Sequence, residues 1–587
     1  MLAFIKNFLT RRTFQVLIGG TASNEYPEET GVPQGSVLAV TLFLIAMDGV
    51  FNFLPANVYV FVYADDILLV VVGSTPGRTR IRSQAAVTTI LRWASSVGFV
   101  LNARKCVRGH VCSGRHQLAG PSIKLGTEAI PNRKIVRVLG VDIDRKLSFL
   151  PHFRAVKEAC KPRVNLIKTL SKKHRTNNRS TRLNVGQAII DSRLLYGLEL
   201  TCPCYRNLIS TLAPVFNNYV RTASGLLPST PAEAACVDAG ILPFRHRIQM
   251  AICRKAASFA AATSGEVRIP LLVEADRILR SVAGTSLPPV ARVHWHGAKG
   301  WLMPPVNIDR TIASRFKRGD NTEELRRSVL ELISTRFWNS EIRYIDGSVS
   351  SRGVGFGVNG PNLTMSESLP RPCNIFSAEA VAVFIAATYP ADKPIVVLTD
   401  SASVVSALQS ETPKHPWIQG TLAGMIPGTT FAWIPGHCGI RGNTEADALA
   451  SIGHEGPQYT CSVPLADVKK WTKSVVGQDW ARIWNDNTGL FLRKIKGNTI
   501  SWKDPATQKE QQVISRLRTG HTRVSHNFGG GALSGPVVIS ATPKIAWSTS
   551  SVGVPNMTTP EVYTAYRGVS GTHWRMMKLP WRPSSAS

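Results

Sequence analysis

The chain has 587 residues, of which 44% are hydrophobic; 69 Lys and Arg oppose 38 Asp and Glu, a formal charge of +31. That length predicts three or four domains, and the apolar content excludes disorder throughout. Such a positive field favours polyanionic partners, nucleic acid foremost, and says nothing of fold. The ten cysteines, Cys106 to Cys461, include no Cys-x-x-Cys pair, which predicts reduced thiols in an intracellular protein. Cys106, His110 and Cys112 lack a fourth ligand in zinc spacing.

At the N-terminus the apolar run of Met1–Ile5 precedes Arg11 and Arg12, the reverse of a secretory signal. The longest apolar run, Val58 to Val72, carries Asp65 and Asp66 at its centre. Two adjacent acids at mid-bilayer are too costly for a membrane span, so the run predicts a hairpin with the acids at its bend. No membrane partner is expected.

Four stretches of this first part resemble reverse transcriptases, in family order. Tyr63-Ala64-Asp65-Asp66 is similar to the catalytic turn, and Gly31-Val32-Pro33-Gln34-Gly35-Ser36 to the loop that meets template and nucleotide. Gly98–Lys105 is similar to a motif whose lysine, here Lys105, lies near the nucleotide phosphates; Val138-Leu139-Gly140-Val141 resembles the primer-gripping hairpin. The flavour is that of non-LTR (LINE-type) retrotransposons, which can carry reverse transcriptase and ribonuclease H on one chain. The family needs a further metal-binding aspartate upstream of Gln34 and Gly35, and residues 1–47 contain none; Asp48 follows the loop. Residues 1–150 therefore read as a partial palm without fingers or first catalytic aspartate, its polymerase activity lost.

Residues 151–262 show helical spacing and read as a thumb or connection, with Tyr196, Leu198, Phe216, Tyr219 and Val220 as core and Lys172-Lys173-His174-Arg175 as a solvated basic face. Prolines between 263 and 339 mark a linker with one helix near Glu323–Phe337.

From 340 to 455 the pattern predicts strands at Arg343–Ile345, Gly353–Val358 and Leu363–Glu367. A helix follows at Ser377–Tyr389, a buried strand at Ile395–Leu398, a short helix at Ser401–Leu408, a strand at Phe431–Ile434 and a last helix at Asn443–Ile452. That order makes a mixed α/β sheet flanked by helices, within a multidomain α/β chain. Asp346 and Asp400 end strands, Glu379 opens a helix, and Asp447 follows Pro435-Gly436-His437 and Gly442-Asn443. Carboxylates delivered by strand ends and helix starts can converge on hard, oxygen-seeking ions.

The four acids, in order with His437, resemble the ribonuclease H family, which cuts the RNA strand of an RNA–DNA hybrid. The resemblance implies two Mg²⁺ ions, with Mn²⁺ as a substitute, held by Asp346, Glu379, Asp400 and Asp447, and His437 assisting proton transfer or product release. It also implies hydrolysis recognised through duplex shape and 2′-hydroxyls, for which Ser348, Asn374 and Ser401 are candidates. Expected partners are RNA–DNA hybrid, RNA and DNA, in nucleus or cytoplasm. The alternatives are an active RNA-directed DNA polymerase or a non-catalytic nucleic-acid-binding relic.

Residues 456–528, with Trp471, Trp480, Trp484 and Arg516–Thr522, resemble the segment that follows ribonuclease H in these elements. Residues 529–587, opening on glycines and running through Ser, Thr and Pro, are expected to be poorly structured.

Overall fold

The computed structural model describes residues 1–53, 55, 57–112, 122–173, 178–263, 269–292, 305–316, 321–500, 502, 508–521, 563–567 and 574–578. It divides into two units, Met1–Ala155 and Val156–Ser587. Among the described residues no helix is long and apolar enough to cross a membrane.

In the first unit, alternation of apolar residues produces the expected hairpin: Val58–Tyr63 pairs antiparallel with Asp66–Val71, closing at Tyr63 opposite Asp66. Val60, Val62, Ile67 and Leu69 turn inward against Ile90, Trp93 and Ala94 of the helix Pro76–Ser96, and against Met47 and Val50. Tyr59, Phe61 and Tyr63, on the other face, are exposed. A second hairpin joins Ile135–Val138 to Val141–Asp144. Its two-residue turn places Leu139 at φ 44° and Gly140 at φ 82°, the left-handed pair that matches strand twist. All described strands of this unit pair two by two, in separate two-stranded sheets and not one wide sheet.

The second unit opens with helices that bury Leu198, Phe216, Tyr219 and Val220, as their spacing predicts. Tyr196, expected in the core, is 47% exposed; Gly197 follows it at φ 72°, where the helix breaks and turns the ring outward. The side chains of Lys172, Lys173, His174 and Arg175 lie outside the described residues. Arg179 and Asp238 form a buried ion pair at 2.8 Å, and Arg179 also donates to Ser515 of the helix Gln508–Thr519. Of the segment after 456, the helices Leu465–Asp486 and Gln508–Thr519 thus pack into this helical body. Of residues 529–587 the structure describes Tyr563–Arg567 paired antiparallel with Trp574–Lys578; the rest of that expected unstructured stretch lies outside the described residues.

The sheet of the second unit comprises β1 (Asn307–Asp309), β2 (Glu341–Val349), β3 (Val354–Gly360), β4 (Leu363–Leu369), β5 (Ile395–Thr399) and β6 (Thr430–Trp433). Its helices are α1 (Thr322–Thr335), α2 (Ile375–Thr388), α3 (Ala402–Leu408), α4 (Pro416–Gly424), α5 (Arg441–Ile452) and α6 (Leu465–Asp486). The spatial order is β1-β6-β5-β2-β3-β4; β1, β6, β5 and β2 run parallel, and β2-β3-β4 form the antiparallel meander read from the sequence. Three of these elements, α4, α6 and β1, were not expected. Helix α4 follows a proline-led turn, and β1 arises from the proline-marked stretch taken as a linker. Pairing with β6 covers a sheet edge that would otherwise expose unpaired backbone groups. Residues 263–339 also supply the helix Pro270–Ala283, whose Leu271, Ala275, Ile278 and Leu279 are buried, so that stretch is folded and not a spacer.

Alternation along the central strands assigns each face its helices. Ile345, Ile395, Val397 and Phe431 pack with α2 and α4, whereas Val396, Leu398, Ala432 and Ile342 pack with α1. Every residue of β5 is buried, as a central parallel strand requires.

Candidate functional site

Strand register fixes the first pair of acids. In the parallel β2–β5 ladder Ile345 stands beside Thr399, so Asp346, which lies inside β2 and not at its end as read from the sequence, is neighboured by Asp400 just past the end of β5. Across the antiparallel partner Asp346 faces Gly357. A Cβ at Gly357 would stand 2.3 Å from the carbonyl oxygen of Ala446, which is why α5 can lie directly on β3. That close approach delivers Asp447 to the neighbourhood of Asp346, whose carboxyl it helps to raise.

The fourth acid arrives from the opposite layer. A Cβ at Gly347 would come within 2.9 Å of both the Ala378 Cβ and the Glu379 backbone nitrogen, so α2 crosses β2 in contact at this point. Glu379 accepts a hydrogen bond from Ser401 Oγ at 2.6 Å. Ser401 meanwhile caps α3 through the Val404 N–H, and the Trp433 indole donates to the carbonyl of Asp400 at 3.0 Å. A Cβ on Gly436 would be 2.5 Å from Asp400 Oδ2, so the Pro435–His437 turn rests against the same carboxylate. His437 is exposed and held at φ 56°, a left-handed conformation that a non-glycine residue adopts only under local constraint.

Crowding of like charges shows in the electrostatics. Burial, then Asp400 and Asp447, push the Asp346 carboxyl up to about 7, against the pull of the Gly347 N–H that donates to it at 2.8 Å. Glu379 is likewise raised, first by burial and then by Asp400, while Ser401 opposes the shift. A site made only of carboxylates, in which Asp346 and Glu379 hold their protons more tightly than usual, has the donor chemistry a hard divalent cation would relieve. Among the described residues no three acidic, histidine or cysteine side chains close on one point as an all-protein cage would. Open carboxylate arrangements of that kind suit Mg²⁺, which keeps waters and completes its shell with substrate phosphates.

The structure sets Asp346 near Asp400 and Asp447, and Glu379 near Asp400, as neighbouring pairs that do not close on a single point. It places Ser348 two residues beyond Asp346 on the same face of β2, half-buried. Asn374 is committed elsewhere: it caps α2 by accepting the Ser377 N–H and donates to Asp467 Oδ1 at 2.5 Å, so the hydroxyl-sensing role expected of it does not match its engagement. Ser401 is similarly tied to Glu379. In the first unit Gln34 and Gly35 lie on an exposed loop with Gly35 at φ 93°, Asp65 and Asp66 at the exposed hairpin bend, and Lys105 on an exposed single turn after Asn102.

Sequence reading missed Arg343. Its guanidinium is fully buried, pairs with Glu341 at 2.6 Å and donates to the carbonyls of Ala386, Tyr389 and Pro390 at 2.7–2.9 Å. It thereby caps the C-terminal end of the helix that carries Glu379. The one local hint was Glu341, two residues before it on the same inward face, where charges persist only when paired; the carbonyl partners lie far along the chain.

Residues 2–143 match the family described as Reverse transcriptase (RNA-dependent DNA polymerase). The chain is 27% identical over 202 residues to the RNA-directed DNA polymerase from mobile element jockey of Drosophila melanogaster, covering 33% of this chain and 22% of that protein. It is 23% identical over 202 residues to the probable RNA-directed DNA polymerase from transposon BS of the same species, with coverage of 33% and 22%. It is also 33% identical over 120 residues to the Pol polyprotein of equine infectious anemia virus (strain Wyoming), covering 19% of this chain and 10% of that protein. The chain therefore spans less than a quarter of the length of these relatives.

Proposed function

We propose, for a chain that carries a reverse transcriptase domain over residues 2–143, that the six-stranded sheet is a divalent-metal-dependent nuclease hydrolysing the RNA strand of RNA–DNA hybrids. The observation that carries this reading is the register that sets Asp346, inside β2, beside Asp400, just past the end of β5, with Asp447 near enough to raise the Asp346 carboxyl. Asp346, Asp400, Asp447 and Glu379 would hold two Mg²⁺ or Mn²⁺ ions. Such ions, when bound, lower the pKa of an attacking water and stabilise the leaving oxygen.

The protein's own contributions are positional. Strand register spaces Asp346 and Asp400, the glycine contacts at Gly347 and Gly357 set how close Glu379 and Asp447 come, and Ser401 fixes the rotamer of Glu379. His437, exposed on a constrained turn against Asp400, is placed to carry a proton to or from a departing product. The net charge of +31 suits a duplex backbone, and the reading calls for cleavage with steep salt dependence and little sequence preference.

The relatives from mobile elements are named as RNA-directed DNA polymerases, which favours a second activity in the first unit. In that unit Asp65 and Asp66 stand at the exposed hairpin bend. The test of both readings is one experiment on the full chain: Mg²⁺-dependent cleavage of a labelled RNA–DNA hybrid beside primer extension on an RNA template. Cleavage abolished by Asp400→Asn supports the nuclease. Robust extension without cleavage would replace it with the polymerase.

A further inference from the structure

Helix α6 lies outside the stretch that the ribonuclease H resemblance covers, yet its first turn reaches the helix that bears Glu379. Asp467 accepts three hydrogen bonds there: from the Asn374 N–H at 3.1 Å, from Asn374 Nδ2 at 2.5 Å and from Ser377 Oγ at 2.6 Å. Ser377 is fully buried, two residues before Glu379, and also bonds His415 Nε2 at 3.0 Å, at the start of α4. With the Ser377 hydroxyl donating to Asp467, His415 must donate from Nε2, which leaves its buried Nδ1 without a partner. Burial pushes the His415 imidazole down to about 4, so the histidine stays neutral.

The other end of α6 is anchored elsewhere. Trp480 and Trp484 are buried with Ala234, Val237 and Leu492, and Asp479 meets His246 at 3.4 Å, while nearer its start Arg254 donates to the Lys469 carbonyl at 3.2 Å. Val468, beside Asp467, and Ala257, from the helix Phe244–Ala262, both enter the core beneath the mixed sheet. One helix therefore spans from the helical body to the start of α2. Arg343 grips the far end of α2 on the β2 side, so α2 is clamped at both termini with Glu379 between the clamps.

We propose that Asp467 is a positioning residue for Glu379, and that the nuclease unit therefore extends through α6 onto the helix Phe244–Ala262. This inference rests on the nuclease reading above. A carboxylate accepting three bonds fixes both the axial position and the rotation of α2. A helix turned by a fraction of an ångström moves Glu379 away from Asp400 without unfolding the sheet.

The experiment uses the full chain with Asp467→Asn, Asp467→Glu and the milder Ser377→Ala. It measures kcat and KM for hybrid, the Mg²⁺ concentration for half-maximal rate, Mn²⁺ binding by electron paramagnetic resonance, and hydrogen exchange of residues 374–388. The expected result for Asp467→Asn is roughly a 10-fold loss in kcat or metal affinity, the scale of outer-sphere substitutions. KM for hybrid should hardly change, exchange over 374–388 should quicken, and Asp467→Glu should recover part of the loss. A lowered Tm with unchanged kcat, Mg²⁺ dependence and Mn²⁺ binding would overturn the proposal and leave Asp467 a structural cap. If the parent chain binds Mn²⁺ yet does not cleave hybrid, the nuclease reading fails; slower exchange with unweakened Mn²⁺ binding in the variants would sink the positioning role separately.

Discussion

Replacing Asp400 by Asn should make the metal-free protein more stable at neutral pH while removing its hydrolytic activity. A carboxyl held at about 7 instead of its ordinary 3.8, as Asp346 is, carries a penalty of roughly 4 kcal/mol when ionised. Burial is the larger cause and Asp400 the second, and Asp346 is only half-buried, so solvent screening reduces the part Asp400→Asn relieves to about 1 kcal/mol. Asp346 binds its proton more tightly folded than unfolded. Its contribution to stability is therefore complete below about pH 4 and lost as pH rises through about 7. Thermal melting in EDTA at pH 5 and pH 8 should show the parent losing stability between those values and the variant losing less, with a gain for the variant of about 2–4 °C at pH 8. Added Mg²⁺ should raise the parent's Tm at pH 8 by preferential binding to the folded state, and the variant's by less. A variant less stable than the parent at pH 8 in EDTA would refute the reasoning, because it would mean that Asp400 is held by partners that need its charge.

Gly347→Ala places a Cβ 2.9 Å from two atoms of α2, so it should cost about 1–3 kcal/mol by overpacking and cut hybrid cleavage about 100-fold as Glu379 is displaced; denaturant titration and a cleavage assay check both. Arg343→Met leaves Glu341 buried without its charge partner and three carbonyls at the end of α2 uncapped, a loss of about 3–5 kcal/mol that urea unfolding should read directly. His437→Ala should slow steady-state turnover by about 10–100-fold while sparing Mn²⁺ binding; unchanged turnover would reduce His437 to a loop residue.

Much of the mixed sheet could be read along the chain because its signals are local. Alternation marked β2, β3 and β4, a continuous apolar run marked β5, and the hairpin at Asp65 and Asp66 followed from two acids that no membrane would accept. The four carboxylates were found through their motif frames, which are short-range too. Arg343, Asp467 and strand β1 were not found, since each takes its meaning from residues far away in sequence. Arg343 reads as a surface charge until its three carbonyl partners, 43 to 47 positions on, are seen. Asp467 reads as an ordinary helix-start acid until Asn374 and Ser377 close on it.

The sequence alone determined which residue types stand at strand ends and helix starts, and thereby the chemical character of the site: carboxylates, a histidine and a strongly basic chain to meet a polyanion. Only the tertiary structure decided which acids become neighbours. Parallel register between β2 and β5 puts Asp346 next to Asp400, and three glycines at helix–strand and loop–strand contacts set how near Glu379, Asp447 and His437 come. The physical reason is that propensity and periodicity act over a few residues, whereas register, close packing and buried hydrogen bonds are settled between segments, where a shift of one residue would turn every site carboxylate of a strand to the opposite face.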